Sequence, residues 1–176
     1  LDGGTRVQSA LSRDLSRLTA SYEWRLADLA ALYVRHSVPI DLPEPARYAP
    51  TKDYSGIVVY LSGAFAVRGE HREDRLRPCL FPRLYDEEMN AVIERNLLYP
   101  ASLRERGAVG YAVGLDDPVI AARAGDSPLR IIASSIFGSN RTDAVISADD
   151  ALKILGSAAN RELARQGKVV FVIDEP

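Results

Sequence analysis

His71 stands among Glu70, Glu73 and Asp74, a donor set of the kind that can hold a divalent cation. The surrounding stretch, Gly63 to Arg77, is polar and charged throughout. A solvated loop accounts for it, and no metal is expected there. Cys79 lies between Pro78 and Leu80 with no neighbouring base in sequence. A nucleophilic thiol needs a depressed pKa or a partner base, so Cys79 reads as a core or edge residue. Ser134 and Ser135 lack the glycine elbow of a hydrolase and read as strand residues. Gly107, Gly110 and Gly114 do not form a phosphate loop, because no lysine follows and the strand-to-helix context is missing. Asp116-Asp117 before Pro118 reads as a helix N-cap. His36 falls at the end of a predicted helix, where a partial positive charge suits the dipole. No catalytic residue, cofactor or metal is assigned on these grounds, and the chain is expected not to be an enzyme.

Asn140-Arg141-Thr142-Asp143 is the most concentrated polar set. Asn140 opens a sequon for glycosylation, which requires a secretory context. A structural role predicts that Asp143 or Asn140 ties the turn through backbone hydrogen bonds and that Arg141 pairs with a nearby acid. A functional role would make Asn140 and Arg141 part of a partner interface.

The elements that position these residues follow from apolar spacing. Val7, Leu11, Leu15, Leu18, Tyr22, Leu26, Leu29 and Tyr33 recur at intervals of three and four. That heptad seam predicts one long amphipathic helix over residues 1–36. Its seam, from Leu11 to Tyr33, is a candidate partner interface; packing on its own domain is the alternative. Pro39, Pro43, Pro45 and Pro50 mark an extended linker. Tyr54 to Ser62 predicts a strand. Leu80 to Tyr85 and Ala91 to Arg95 predict a hairpin, with a helix over Glu87 to Leu97 as the alternative. Ser102 to Arg106 predicts a short helix, Val109 to Val113 a strand, and Asp116 to Ala124 a helical turn. Arg130 to Phe137 and Ala144 to Ile146 predict further strands. Ser147 with Asp150 forms an acidic capping box for a helix running from Ala151 to Leu163. Gly167 sits at a left-handed C-cap position. Lys168 to Ile173 is a continuous apolar run of the sort found in a central strand.

The predicted organisation is therefore a heptad-patterned helix over 1–36, a proline-rich linker over 37–53 and a globular α/β domain over 54–176. The fold class expected is α+β: a small, mostly antiparallel sheet packed by helices, preceded by the long N-terminal helix. A chain of 176 residues with 47% hydrophobic and 26% charged content affords a core. A net charge of -2 argues against nucleic acid as a partner. One cysteine excludes an internal disulfide. No apolar run reaches the roughly 18 residues of a membrane span. The start at Leu1 is what removal of a signal peptide or lipid-anchor cysteine would leave.

The segments YSGIVVYLSG, RPCLFPRLYDEE, GAVGYA, GDSPLRIIA, SNRTDAVISADDALKI and GKVVFVID come in an order that resembles bacterial envelope proteins of the LPP-type lipoprotein and FlgP-like flagellar family. They are also similar to the N-terminal part of FlgT. The resemblance covers about residues 54–174. It implies a periplasmic, non-enzymatic scaffold or assembly protein associated with the flagellar motor. The N-terminal heptad helix, which the resemblance does not cover, would supply self-association or docking on another envelope or flagellar protein. Departures from the family pattern occur at Tyr60 to Gly63 and at Glu87 to Asn90. The alternative reading is a periplasmic module that binds a small ligand or cell-wall fragment, with Gly63 to Arg77 as a lid.

Overall fold

The computed structural model describes residues 4–47 and 49–175, with the backbone alone for residues 26 and 27. In chain order the strands are β1 (Thr5–Leu11), β2 (Leu18–Glu23), β3 (Ile57–Tyr60), β4 (Phe65–Ala66), β5 (Glu73–Asp74), β6 (Leu84–Tyr85) and β7 (Ala91–Ile93). They continue with β8 (Gly110–Val113), β9 (Leu129–Ile132), β10 (Ser135–Phe137), β11 (Asp143–Val145) and β12 (Val169–Ile173). The helices are α1 (Leu26–Ala31), α2 (Pro100–Arg106), α3 (Pro118–Ala124), α4 (Ala148–Leu155) and α5 (Ala158–Arg165).

The long N-terminal helix does not form. Residues 5–23 make an antiparallel hairpin instead, with Leu11 opposite Leu18 and Ser9 opposite Ala20. The spacing of Leu11 and Leu18 is satisfied in both forms, since residues seven apart in a heptad can also face each other across a six-residue turn. The turn decides between them. The Asp14 carboxylate accepts from Ser12 Oγ and Ser16 Oγ, while Ser12 Oγ accepts from the Arg17 amide. Serine and aspartate that bond locally compete with helix. Only Leu26–Ala31 remains helical, and it packs on α2.

The expected antiparallel sheet is also replaced. The principal sheet has the order β8-β12-β3-β9, and every pair in it is parallel. The cause lies in its strands, which are apolar on both faces. Val58, Val170, Val172 and Ala112 pack on Ile120 and Ala124 of α3. Ile57, Val59, Phe171 and Ile173 turn the other way, into the main core with Leu84, Ile93, Leu103 and Ile154. A sheet covered on both sides is the setting in which parallel pairing occurs. Gly56 permits the α3 side to close, because a Cβ there would lie 2.4 Å from Ala124 Cα.

A second, mixed sheet has the order β10-β11-β6-β7 and contains the predicted β6–β7 hairpin. The single strand expected over 130–137 is two strands, one in each sheet, separated by Ala133 and Ser134. The helix expected over 151–163 is likewise two. Gly156 ends α4, and Ser157 caps α5 by accepting from the Asn160 amide. No helix among the described residues is long and apolar enough to cross a membrane.

Candidate functional site

The polar residues singled out by chemistry are engaged in holding loops. Arg141 is only 3% exposed and has a left-handed backbone, with φ 59°. One of its terminal nitrogens donates to Glu70 Oε2 at 2.9 Å, and the other donates to the Gly138 carbonyl. Its Nε faces Asp74 Oδ2 at 3.3 Å, an ion-pair distance without hydrogen-bond alignment. Glu70 also binds Arg72 at 2.7 Å. The pairing of Arg141 with nearby acids is thus present, and it anchors the Gly63–Arg77 segment against the β10–β11 turn. The Asp143 carboxylate accepts from the Thr142 hydroxyl at 3.3 Å within the turn, and its backbone partner is the Arg83 amide at 3.1 Å on the neighbouring strand side. Burial holds its carboxyl above the usual range. Asn140 is exposed at the turn.

His71 is exposed, and among the described residues no group of His, Cys, Asp or Glu is placed to hold a metal. Cys79 is half-buried, and burial pushes its thiol up. Its backbone exchanges hydrogen bonds with Tyr111 Oη at 3.0 Å. Asp117 caps α3 by accepting from the Val119 amide. His36 is not at a helix end, because the helix is absent there; its Nε2 lies 2.9 Å from the Leu98 carbonyl.

Two organising residues were missed by sequence reasoning. Asn160 is 1% exposed. Its amide nitrogen donates to the Lys52 and Lys153 carbonyls at 2.9 Å, and its Oδ1 accepts from the Tyr54 amide. It therefore fastens the end of the proline-rich segment to α4 and α5. The Gly156-Ser157 pair, with Asn three residues after the serine, was the available signal. Arg123 donates to the carbonyls of Gly167, Arg106 and Gly107. Burial, then neighbouring Arg106, pull it down to about 10.

The seam residues proposed as an interface divide by position. Val7, Leu11, Leu15, Leu18 and Tyr22 are 54–73% exposed. Residues paired across an antiparallel ribbon share a face. One face thus carries Leu11, Leu18, Ser9, Ala20 and Tyr22, with Arg6 opposite Tyr22 at its far end, and the opposite face Ala10, Thr19, Gln8, Ser21, Thr5 and Glu23. Leu29 is half-buried on α1, and Tyr33 is exposed with its ring edge-on to Phe81 at 6.3 Å. The side chain of Leu26 lies outside the described residues.

An open cleft of about 390 Å³ lies among the proline-rich segment, the β6–β7 turn and α4. Its floor is Ala151, Leu152 and Leu155; Asp86, Glu88 and Arg47 stand at its sides. No residue of the Gly63–Arg77 segment lines it.

The fold and these sites define an α+β domain with a parallel four-stranded sheet, a mixed second sheet, a clipped set of loops and an exposed N-terminal hairpin. Residues 56–175 match the family model described as the second domain of Treponema pallidum Tp0624, and the chain belongs to that family. The resemblance to the LPP-type, FlgP-like and FlgT families is corrected by this match. The segments that carried it are buried strands, a capping box and tight turns, which any α/β sheet of this kind requires. A comparison with curated proteins finds no match.

Proposed function

We propose that this chain is a non-enzymatic assembly module that associates with copies of itself through its N-terminal hairpin. The observation that carries the reading is the apolar hairpin face. Leu18 is 71% exposed and Tyr22 55% exposed, on a two-stranded ribbon whose strand residues are all exposed. An isolated two-stranded hairpin is marginal in water and gains stability when its apolar face is covered. Unpaired strand edges also template further pairing. The engagement of Arg141, Asp143, Asn160 and Arg123 in loop and cap contacts supports a structural rather than a chemical role. A periplasmic setting and a flagellar link rested on the corrected resemblance and are not part of this proposal.

The test is the light-scattering mass of the full chain beside a Leu11→Asp/Leu18→Asp double variant, over a concentration series. A multimer that the double variant reduces to a folded monomer supports the reading. A monomer at every concentration, or a multimer the double variant leaves intact, overturns it.

A further inference from the structure

We infer that assembly is head-to-tail: the tip of one hairpin seats in the α4 cleft of a second copy. This rests on the self-association reading above and moves the contact from the hairpin's face to its tip, next to the Leu11–Leu18 pair. The tip is Ser12 to Arg17, and it is prefolded. Ser12 N donates to the Arg17 carbonyl at 2.9 Å, and the Ser12, Asp14 and Ser16 side chains close the turn from within. Those hydrogen bonds from Ser12 and Ser16 hold the Asp14 carboxyl down at about 2. It therefore stays ionised, one negative charge beside the two guanidinium groups of Arg13 and Arg17. Arg13 and Arg17 have no ion-pair partner among the described residues. Between them Leu15 is 73% exposed with φ 59°. A left-handed leucine is uncommon, and such a residue at a turn is a place to look for function. The tip therefore presents an apolar knob flanked by two guanidinium groups.

The cleft is complementary. Its floor is apolar, from Leu152 and Leu155, and two carboxylates, Asp86 and Glu88, face one guanidinium, Arg47. Asp86 is occupied by its own turn, accepting from the Glu88 and Asn90 amides. Glu88 is exposed and makes no ion pair among the described residues, which leaves it to meet a basic partner. Because tip and cleft are different surfaces, the contact repeats as a ring or an open chain, or closes as a pair when each copy's tip reaches the other's cleft.

Charge reversal tests this on the full chain. Glu88→Lys and Arg13→Glu/Arg17→Glu are each expected to weaken self-association about tenfold or more, with folding unchanged by circular dichroism. An equimolar mixture of the two is expected to assemble again. In that mixture the reversed tip meets the reversed cleft, and the unaltered tip meets the unaltered cleft. If neither reversal alters the mass while Leu11→Asp/Leu18→Asp abolishes assembly, the hairpin associates by its face and the head-to-tail inference is overturned alone. If both reversals weaken assembly but the mixture stays monomeric, tip and cleft do not meet each other, and the inference is likewise overturned.

Discussion

Around Arg141 four charged side chains meet, and the central one is turned inward until 3% of it remains exposed. Along the β1–β2 hairpin five large apolar side chains, from Val7 to Tyr22, point to solvent. The first region has the residue types of a reactive or recognition site and is engaged in fixing one loop to another. The second has the residue types of a core and lacks a covering layer within its own chain. Residue type alone misassigns both. Where a side chain's partners lie separates them: Arg141 is paired within the domain, and Leu18 is not covered there.

This contrast is sharpened by substitution. The largest effect is expected at Arg141→Ala, which strips a buried cation from Glu70 and Asp74. Its partners are partly exposed, so the loss is set at about 3 kcal/mol, the lower end for breaking a buried pair. Chemical denaturation measures it, and assembly of the folded fraction is expected to be unchanged. Loss of assembly at full stability would break the contrast. Asn160→Ala comes next, at about 2 kcal/mol, because several backbone groups lose a buried partner. A denaturation midpoint equal to that of the parent chain would show that the proline-rich segment is held by other contacts. Gly56→Ala is set at about 1.5 kcal/mol, the cost of overpacking against Ala124, and is read from the thermal midpoint. The smallest change in stability is expected at Leu18→Ser, within about 0.5 kcal/mol, as for an exposed position without special contacts. There the mass should fall while the melting curve of the dissociated chain stays put. Cys79 gives a chemical reading of the inner region. Its thiol is raised by burial, so a thiol-specific reagent should react slowly at neutral pH and faster as pH rises or the domain unfolds.

Much of the fold from Tyr54 onward was legible. The Ser147 cap, the Pro118 helix start, the β6–β7 hairpin and the Gly167 turn all appear where residue chemistry places them. These are local decisions between neighbours in sequence. What was not legible depends on distant partners. The apolar runs of β3 and β12 indicated burial, but their direction relative to each other is set by which helices cover them. The 130–137 strand divides because Ala133 bonds to Tyr60 while Ser134 turns to Val145. The N-terminal seam failed for another reason: Leu18, Ala20 and Tyr22 also alternate with period two, and Ser12, Asp14 and Ser16 favour a turn. Of the proposed interface, Arg141 carried a visible charge with no visible destination. Leu11, Leu15 and Leu18 were singled out as apolar, although on a helix rather than a ribbon.

The order of strands in the principal sheet has a consequence for biosynthesis. β12, which lies between β8 and β3, is the last of the strands to be made. Until it emerges, β8 and β3 have no common neighbour, and neither face of the sheet can close. At about 5–20 residues per second, the interval between making β3 and β12 is on the order of ten seconds. For that time β3 can pair with β9 and meet α3, but the sheet is left without the strand that joins β3 to β8. Completion of the principal sheet is therefore expected to follow synthesis of β12 rather than accompany elongation, leaving a window in which chaperones would meet an incompletely folded chain.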